Sequence, residues 1–282
     1  MGQAVPAVQR EGIASPAFVA GAYRTAAGLA TPLARAFPGL CFYSLAGPIV
    51  WRASRLAIHG RYDDAAWSRS SLGILRALEA AGVRLEITGV DHFRTLEGPC
   101  VFIGNHMSTL ETFVLPTVIC ASKRVTFVVK RELTKYPVFG HVMRARDPVV
   151  VGRSNPRDDL RAVLDGGTER LRAGISIVVF PQTTRTPIFD PAAFNSIGVK
   201  LAKKAQVPVV PVALRTDAWG NGRIVKDIGR IDPATAVHIE FGKPLRVQGT
   251  GAAEHQRVLD YIRERLRAWG GTVVEGPGPA AE

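Results

Sequence analysis

The chain has 282 residues, 46% hydrophobic and 21% charged, with a net charge of +12. That balance supplies a sizeable core and excludes global disorder. The positive excess favours an anionic partner, but 7% aromatic content without aromatic and basic interleaving argues against nucleic acid and for a lipid surface or phosphorylated substrate.

Residues 1–60 stand apart. They carry five arginines (Arg10, Arg24, Arg35, Arg52, Arg55) against one acid, Glu11, and the first ten residues lack a signal-peptide layout. Apolar stretches rich in Phe, Tyr and Trp lie between the arginines, a pattern suited to helices at a membrane interface or packed on the main domain. The longest uncharged run, Ala36 to Trp51, has 16 residues. It would span about 24 Å as a helix, short of a ~30 Å bilayer core. Pro38, Gly39, Gly47 and Pro48 are expected to interrupt it.

From residue 61 helical and strand patterns alternate. Trp67–Ala81 reads as a helix and Leu85–Val90 as a strand. Strand Cys100–Ile103, a helix from Thr109 to Cys120 and strand Val125–Val129 come next. A helix follows Arg131, then strand Val149–Val151, helix Arg157–Arg172, strand Ile175–Phe180 and a helix ending near Ala205. Strands Val207–Leu214 and Val237–Phe241 and a final helix, Ala253–Trp269, close the domain. Short all-apolar strands are those of a sheet buried on both faces, and their alternation with helices implies an α/β fold with a mainly parallel central sheet. The organisation is an N-terminal helical, membrane-associating segment (1–60), an α/β domain (61–270) and a disordered tail (271–282). Pro208 and Pro211 predict that strand 207–214 is bulged or lies at an edge. Cys41, Cys100 and Cys120 are odd in number and scattered, which argues against a disulfide framework or a zinc cluster. All three read as buried thiols in a reducing compartment.

Of the six histidines only His106 falls between a buried strand and a helix start with a carboxylate close by, Glu111. A histidine with a carboxylate can take a proton from an alcohol, although a histidine here, taken alone, is more often structural than catalytic. Ser108-Thr109-Leu110-Glu111 also fits a capping box, so Glu111 has two possible partners, His106 or the backbone of Ser108. Further on, Phe180-Pro181-Gln182-Thr183-Thr184-Arg185 and Val151-Gly152-Arg153 each end a buried strand in polar residues and an arginine. Ligands bind at such carboxyl ends, and the arginine fork suits phosphate. Lys130 belongs to a run from Lys123 to Arg146 with seven basic side chains and one acid. That run reads as a solvated face or an anionic-surface contact.

The order of these stretches resembles the glycerolipid acyltransferases, the lysophosphatidate acyltransferase family. Asn105-His106-x4-Glu111 is similar to the family's NHx4D box, Val151-Gly152-Arg153 to its second box, Phe180–Thr186 to FPEGTRS and Val207–Val212 to VPxxPV. The likeness runs from about Leu85 to Leu214. It implies transfer of an acyl group from acyl-CoA or acyl-carrier protein to the hydroxyl of a lysophospholipid such as 1-acylglycerol-3-phosphate. Glycerol 3-phosphate, a lyso-aminolipid, or an inactive lipid-binding relative are the alternatives. His106 would be the base and Glu111 its orienting carboxylate. Lys130, Gly152, Arg153, Gln182, Thr183, Thr184 and Arg185 would bind substrate, with no metal or other cofactor. The protein is expected on the cytoplasmic face of a membrane with an anionic surface. Three departures stand out: Glu111 for the family's Asp, Gln182 for its Glu and Thr183 for its Gly.

Overall fold

The computed structural model describes residues 10–152, 155–182, 184–222 and 225–275. Arg153 and Thr183 of the expected site lie outside the described residues. The elements in chain order are β1 (Tyr23–Arg24), α1 (Pro32–Ala36), α2 (Pro38–Ile58), α3 (Asp64–Ala80), β2 (Leu85–Thr88), α4 (Asp91–Arg94) and β3 (Val101–Gly104). Then come α5 (Leu110–Ile119), β4 (Arg124–Lys130), α6 (Phe139–Ala145), β5 (Val149–Val151), α7 (Pro156–Arg172) and β6 (Ile175–Val179). The chain continues through β7 (Ile188–Phe189), α8 (Ile197–Ala205), β8 (Val209–Arg215), β9 (Val237–Phe241), α9 (Ala252–Ala268) and β10 (Thr272–Val273).

Eight strands form one sheet in the order β1-β2-β9-β8-β3-β6-β4-β5. Strands β8, β3, β6, β4 and β5 run parallel to one another, while β8 meets β9 antiparallel and β1 meets β2 antiparallel. The expected mainly parallel α/β sheet is therefore what forms. Its centre is buried on both faces. Phe102 points into one core layer with Trp67, Leu115 and Phe127, while Val101 and Ile103 join Val179, Val258 and Ile262 in the other. That two-sided burial is why β3 and β6 read as unbroken apolar runs.

Strand β8 is interior, between β9 and β3, so of the two outcomes expected from its prolines, a bulge or an edge position, the edge is not found. A bulge accommodates Pro211 instead. Val212 faces Phe241, whereas Val209, three residues earlier, faces Leu245, four residues later. Pro211 has no N–H to give, sits at this register step, and accepts from Gly242 N at 2.8 Å.

From Arg10 onward the N-terminal segment packs on the α/β domain. Tyr23–Arg24 adds a strand to the sheet edge, Arg10 N donates to Ala121 O, and Arg10 pairs with Asp64 at 2.8 Å. Helix α2 runs unbroken through Gly39, Gly47 and Pro48, where interruption was expected, with Pro38 tolerated in its first turn. Packing of Phe42, Ala46 and Ala53 into the core compensates for the hydrogen bond that Pro48 removes. Among the described residues no helix is long and apolar enough to cross a membrane.

Three other expectations need correction. Thr272–Val273 of the tail pairs parallel with Ile188–Phe189, so order extends past residue 271. Two members of the basic run are internal. Lys123 is buried and its ammonium donates to Leu96 O (2.6 Å) and Gly98 O (2.7 Å). Arg146 is tied to Asp64 and lies over the Trp67 ring. Cys100 and Cys120 are buried, and burial pushes both thiols up to about 12, but Cys41 is only half-buried.

Candidate active site

The parallel strands β3, β4, β6 and β8 deliver their carboxyl ends to one edge of the sheet, where ligands bind in such folds. Strand β3 ends in Gly104. A Cβ there would meet Val212 O at 3.0 Å, so glycine permits the close approach to β8. Asn105 then extends the ladder with its side chain. Its amide nitrogen donates to Leu214 O (2.7 Å) and its oxygen accepts from Leu214 N (2.9 Å). This two-point clamp fixes where the next residue, His106, leaves the sheet.

His106 is held from four directions. Its backbone N–H donates to Gln182 Oε1 at 2.7 Å and its carbonyl accepts from Thr186 N at 3.0 Å. Its ring stacks on Phe180, with centroids 4.4 Å apart and planes 5° from parallel. Its Nδ1 lies 2.8 Å from Glu111 Oε1. The imidazole remains 18% exposed while Glu111 is fully buried.

Glu111 serves both partners that the sequence left open. Oε1 accepts from Met107 N (2.8 Å) and Ser108 N (3.0 Å) as well as facing His106. Oε2 accepts from Thr216 Oγ1 (2.6 Å) and lies 3.0 Å from Ser108 Oγ. Ser108 Oγ in turn accepts from Leu110 N and is 2.8 Å from Thr216 O. Burial works to raise the carboxyl pKa, but the hydrogen bond and charge of His106, together with Thr216 and the Ser108 N–H, outweigh it and hold the group below its ordinary value. Ionised Glu111 is acceptor-only, so Nδ1 must carry the ring proton. Nε2, on the ring edge away from Glu111, is then the nitrogen with a lone pair. Such a geometry can move a proton, because the buried carboxylate orients the imidazole and leaves a lone pair on Nε2.

A cleft of about 310 Å³ opens at His106. It is bordered by Thr109, Lys130, Thr184, Arg185, Lys226 and Asp227 on its polar side and by Phe127, Phe139, Met143 and Phe180 on its apolar side. A narrow apolar pocket shares Thr112, Phe139 and Met143 with it and continues to Ile49, Val50 and Ala53 of α2. Just before Phe139, Val138 adopts φ 64°, ψ −65°, closing a tight turn in which Phe139 N donates to Pro137 O.

Of the residues expected to bind substrate, Lys130, Thr184 and Arg185 border this cleft. Gln182 does not. It is buried, with its side-chain oxygen on the His106 backbone. An amide oxygen accepts that bond as a carboxylate would, which gives the Gln for Glu departure a local reason. Gly152 donates its N–H to Asp159 Oδ1 (2.8 Å) and is not part of the cleft wall. Asn105, Ser108, Thr216 and Asp227 join the site in addition to the residues expected from the sequence. Among the described residues no group of His, Cys, Asp and Glu is arranged to hold a metal ion.

A family model described as Acyltransferase matches residues 84–215, from β2 to the end of β8. Over 204 residues the chain is 30% identical to a 1-acyl-sn-glycerol-3-phosphate acyltransferase of Pseudomonas aeruginosa, covering 72% of this chain and 73% of that one. It is 30% identical over 132 residues to 1-acyl-sn-glycerol-3-phosphate acyltransferase beta of Homo sapiens, covering 46% of each. Its fold matches the crystal structure of the 1-acyl-sn-glycerophosphate (LPA) acyltransferase PlsC from Thermotoga maritima, with a TM-score of 0.61 at 19% identity, over 84% of this chain and 97% of that one. The chain belongs to the glycerolipid acyltransferase family and is an O-acyltransferase.

Proposed function

We propose that the protein moves a fatty acyl group from an acyl thioester, acyl-CoA or acyl-carrier protein, to the free hydroxyl of 1-acylglycerol-3-phosphate. The observation that carries this reading is the His106 Nδ1 to Glu111 contact of 2.8 Å beside a cleft bordered by Arg185 and Lys130. Nε2 of His106 takes the hydroxyl proton as the oxygen attacks the thioester carbonyl. The C–S bond breaks, and the same nitrogen returns the proton to the thiolate. A thioester is activated enough for this without a metal. Arg185, with Lys130 and Thr184, would meet the acceptor's phosphate, and an acyl chain would lie along the apolar side of the cleft, against Phe127, Phe139 and Met143. Gln182 acts on His106 as a positioning residue. The relatives named above for this acceptor support the choice.

The test is incubation of purified protein with acyl-CoA or acyl-carrier protein and 1-acylglycerol-3-phosphate in vesicles, with phosphatidate read by mass spectrometry. No product with either donor would remove the reading. Arg185→Ala is expected to raise KM for this acceptor about ten- to a hundredfold, the ~1.5–3 kcal/mol of a charge-assisted bond being lost.

We also place the protein on a membrane surface, at the cytoplasmic leaflet. Leu33 and Leu40 of α1 and α2 are 70% and 71% exposed, and Phe37, Leu45, Trp51 and Ile58 are exposed with them. Arg35, Arg52 and Arg55 flank this apolar patch on the exposed surface. An apolar patch with basic flanks suits an anionic interface, and free cysteines fit a reducing side. Leu33→Asp with Leu40→Asp should weaken binding to anionic vesicles in flotation by an order of magnitude or more, at ~1.5–3 kcal/mol per buried side chain, leaving Tm unchanged. Equal flotation of variant and wild type would remove this placement.

A further inference from the structure

The Arg185 guanidinium is already engaged within the protein. Its Nη1 donates to Asp227 Oδ1 at 2.7 Å and also to Thr109 Oγ1, and Thr109 Oγ1 donates to the same Asp227 oxygen at 3.1 Å. Arg185 is 16% exposed and Asp227 30%, and both border the cleft that contains His106. The carboxylate therefore stands where an anionic headgroup would approach the guanidinium.

Asp227 is delivered by the segment between β8 and β9, which folds back on itself and over the site. Trp219 bridges Ile231, Gly220 N donates to Arg230 O (2.9 Å), and Gly222 N donates to Lys226 O (3.1 Å). Gly229 permits this closeness, since a Cβ there would lie 1.6 Å from Gly220 O. The segment is pinned at two further points. Asn221 Nδ2 donates to Met107 O (3.1 Å), one residue past His106, and Tyr43 Oη on α2 donates to Gly229 O (2.6 Å). The acid is thus held against Arg185 by a folded element.

We propose that Asp227 is a specificity-determining residue, which makes the site discriminate between phosphomonoester and phosphodiester acceptors. This rests on the reading of Arg185 as the phosphate ligand. A membrane offers phosphodiester headgroups in large excess, each with one negative charge on its phosphate. An uncompensated Arg185 beside Lys130 and Lys226 would attract them all. Asp227 supplies a competing single charge, so a monoanionic phosphate gains little by replacing it. A phosphomonoester carries about −1.5 to −2 at pH 7, with its second pKa near 6, and still gains. Selectivity then comes from a repulsive element as much as from the attractive one. A partly exposed pair is worth ~0.2–1 kcal/mol, so the acid can be displaced.

The test compares kcat/KM for 1-acylglycerol-3-phosphate with that for a lysophosphodiester, 1-acylglycerophosphoglycerol, in vesicles at saturating acyl-CoA. Asp227→Asn is expected to lower the monoester-to-diester ratio about two- to fivefold, through a lower KM for the diester, and Asp227→Glu to preserve it. An unchanged ratio, or a higher KM for both acceptors as expected of a residue that only holds Arg185 in place, overturns the proposal. If Asp227→Asn lowers Tm, the wild-type ratio against pH decides. It must rise as the monoester gains its second charge near pH ~6, and a flat ratio overturns the proposal. Arg185→Ala separates the two levels. If it leaves KM for the monoester unchanged, the phosphate assignment itself fails. If it raises that KM while Asp227→Asn leaves the ratio alone, the assignment stands and only the role of Asp227 falls.

Discussion

His106→Ala is expected to lower kcat for acyl transfer by ~10²–10⁴, the range a positioned general base supplies. The loss should appear in kcat more than in KM. The ring borders the cleft, but the groups that would hold the headgroup, Arg185, Lys130 and Thr184, are separate from it. The fold should survive. The imidazole is 18% exposed, and its removal leaves Glu111 still bonded to Met107 N, Ser108 N and Thr216 Oγ1. Backbone contacts to Gln182 and Thr186 do not depend on the ring. The measurement is thiol release from acyl-CoA with a saturating acceptor, with circular dichroism as the folding control. A folded variant that keeps more than about a tenth of wild-type kcat would exclude a general-base role of this size.

What was legible in the sequence was local. Strands β3 and β6 could be read because burial on both faces demands unbroken apolar runs, and His106 because it follows one such run directly. The interior place of β8 was not legible. Pro211 is compatible with the middle of the sheet only through a register step on β9, some thirty residues away. Lys123 and Arg146 were misread for a related reason. A charge run looks solvated until the carbonyls of Leu96 and Gly98 and the carboxylate of Asp64 are brought to it. The site divides the same way. Glu111 lies five residues from His106, so both its capping and its orienting partner could be named. Thr216 reaches it only through the β3–β8 pairing. Asp227 reaches Arg185 only because the segment after β8 folds back, and no spacing in the chain announces that.

Glu111→Gln should damage both activity and stability, and the two losses have different causes. For activity, the glutamine side chain has one oxygen and one NH₂ group. If the NH₂ faces His106, Nδ1 must become the acceptor and the proton moves to Nε2, the nitrogen that has to be free. If the oxygen faces His106, the negative charge that stabilises the imidazolium is still gone. Either way kcat is expected to fall ~10²–10⁴. For stability, each carboxylate oxygen receives donors, Met107 N and Ser108 N on one and Thr216 Oγ1 on the other. On the Oε1 side an NH₂ group would confront two backbone N–H donors that cannot turn. On the Oε2 side the Thr216 hydroxyl must rotate and give up its charge-assisted bond. At a site with no exposure either costs ~1–3 kcal/mol. In a domain of this size that lowers Tm by ~2–4 °C per kcal/mol. Acid removes the difference. In the folded protein the Glu111 pKa lies below its ordinary value of 4.5. Its contribution is therefore present above about pH 4.5 and is lost as pH falls through the folded value. The Tm gap between wild type and Glu111→Gln should be full at neutral pH and shrink as pH falls below about 4.5. Glu111→Asp restores the family's usual residue, but loses one methylene of reach in a frame where a single side chain spans His106, the Ser108 backbone and Thr216. It should hold one set of partners at the expense of the other and fall between wild type and Glu111→Gln in kcat. A Glu111→Gln protein with wild-type kcat would end the orienting role. One with wild-type Tm across this pH range would end the claim that the same carboxylate ties the turn after β3 to β8.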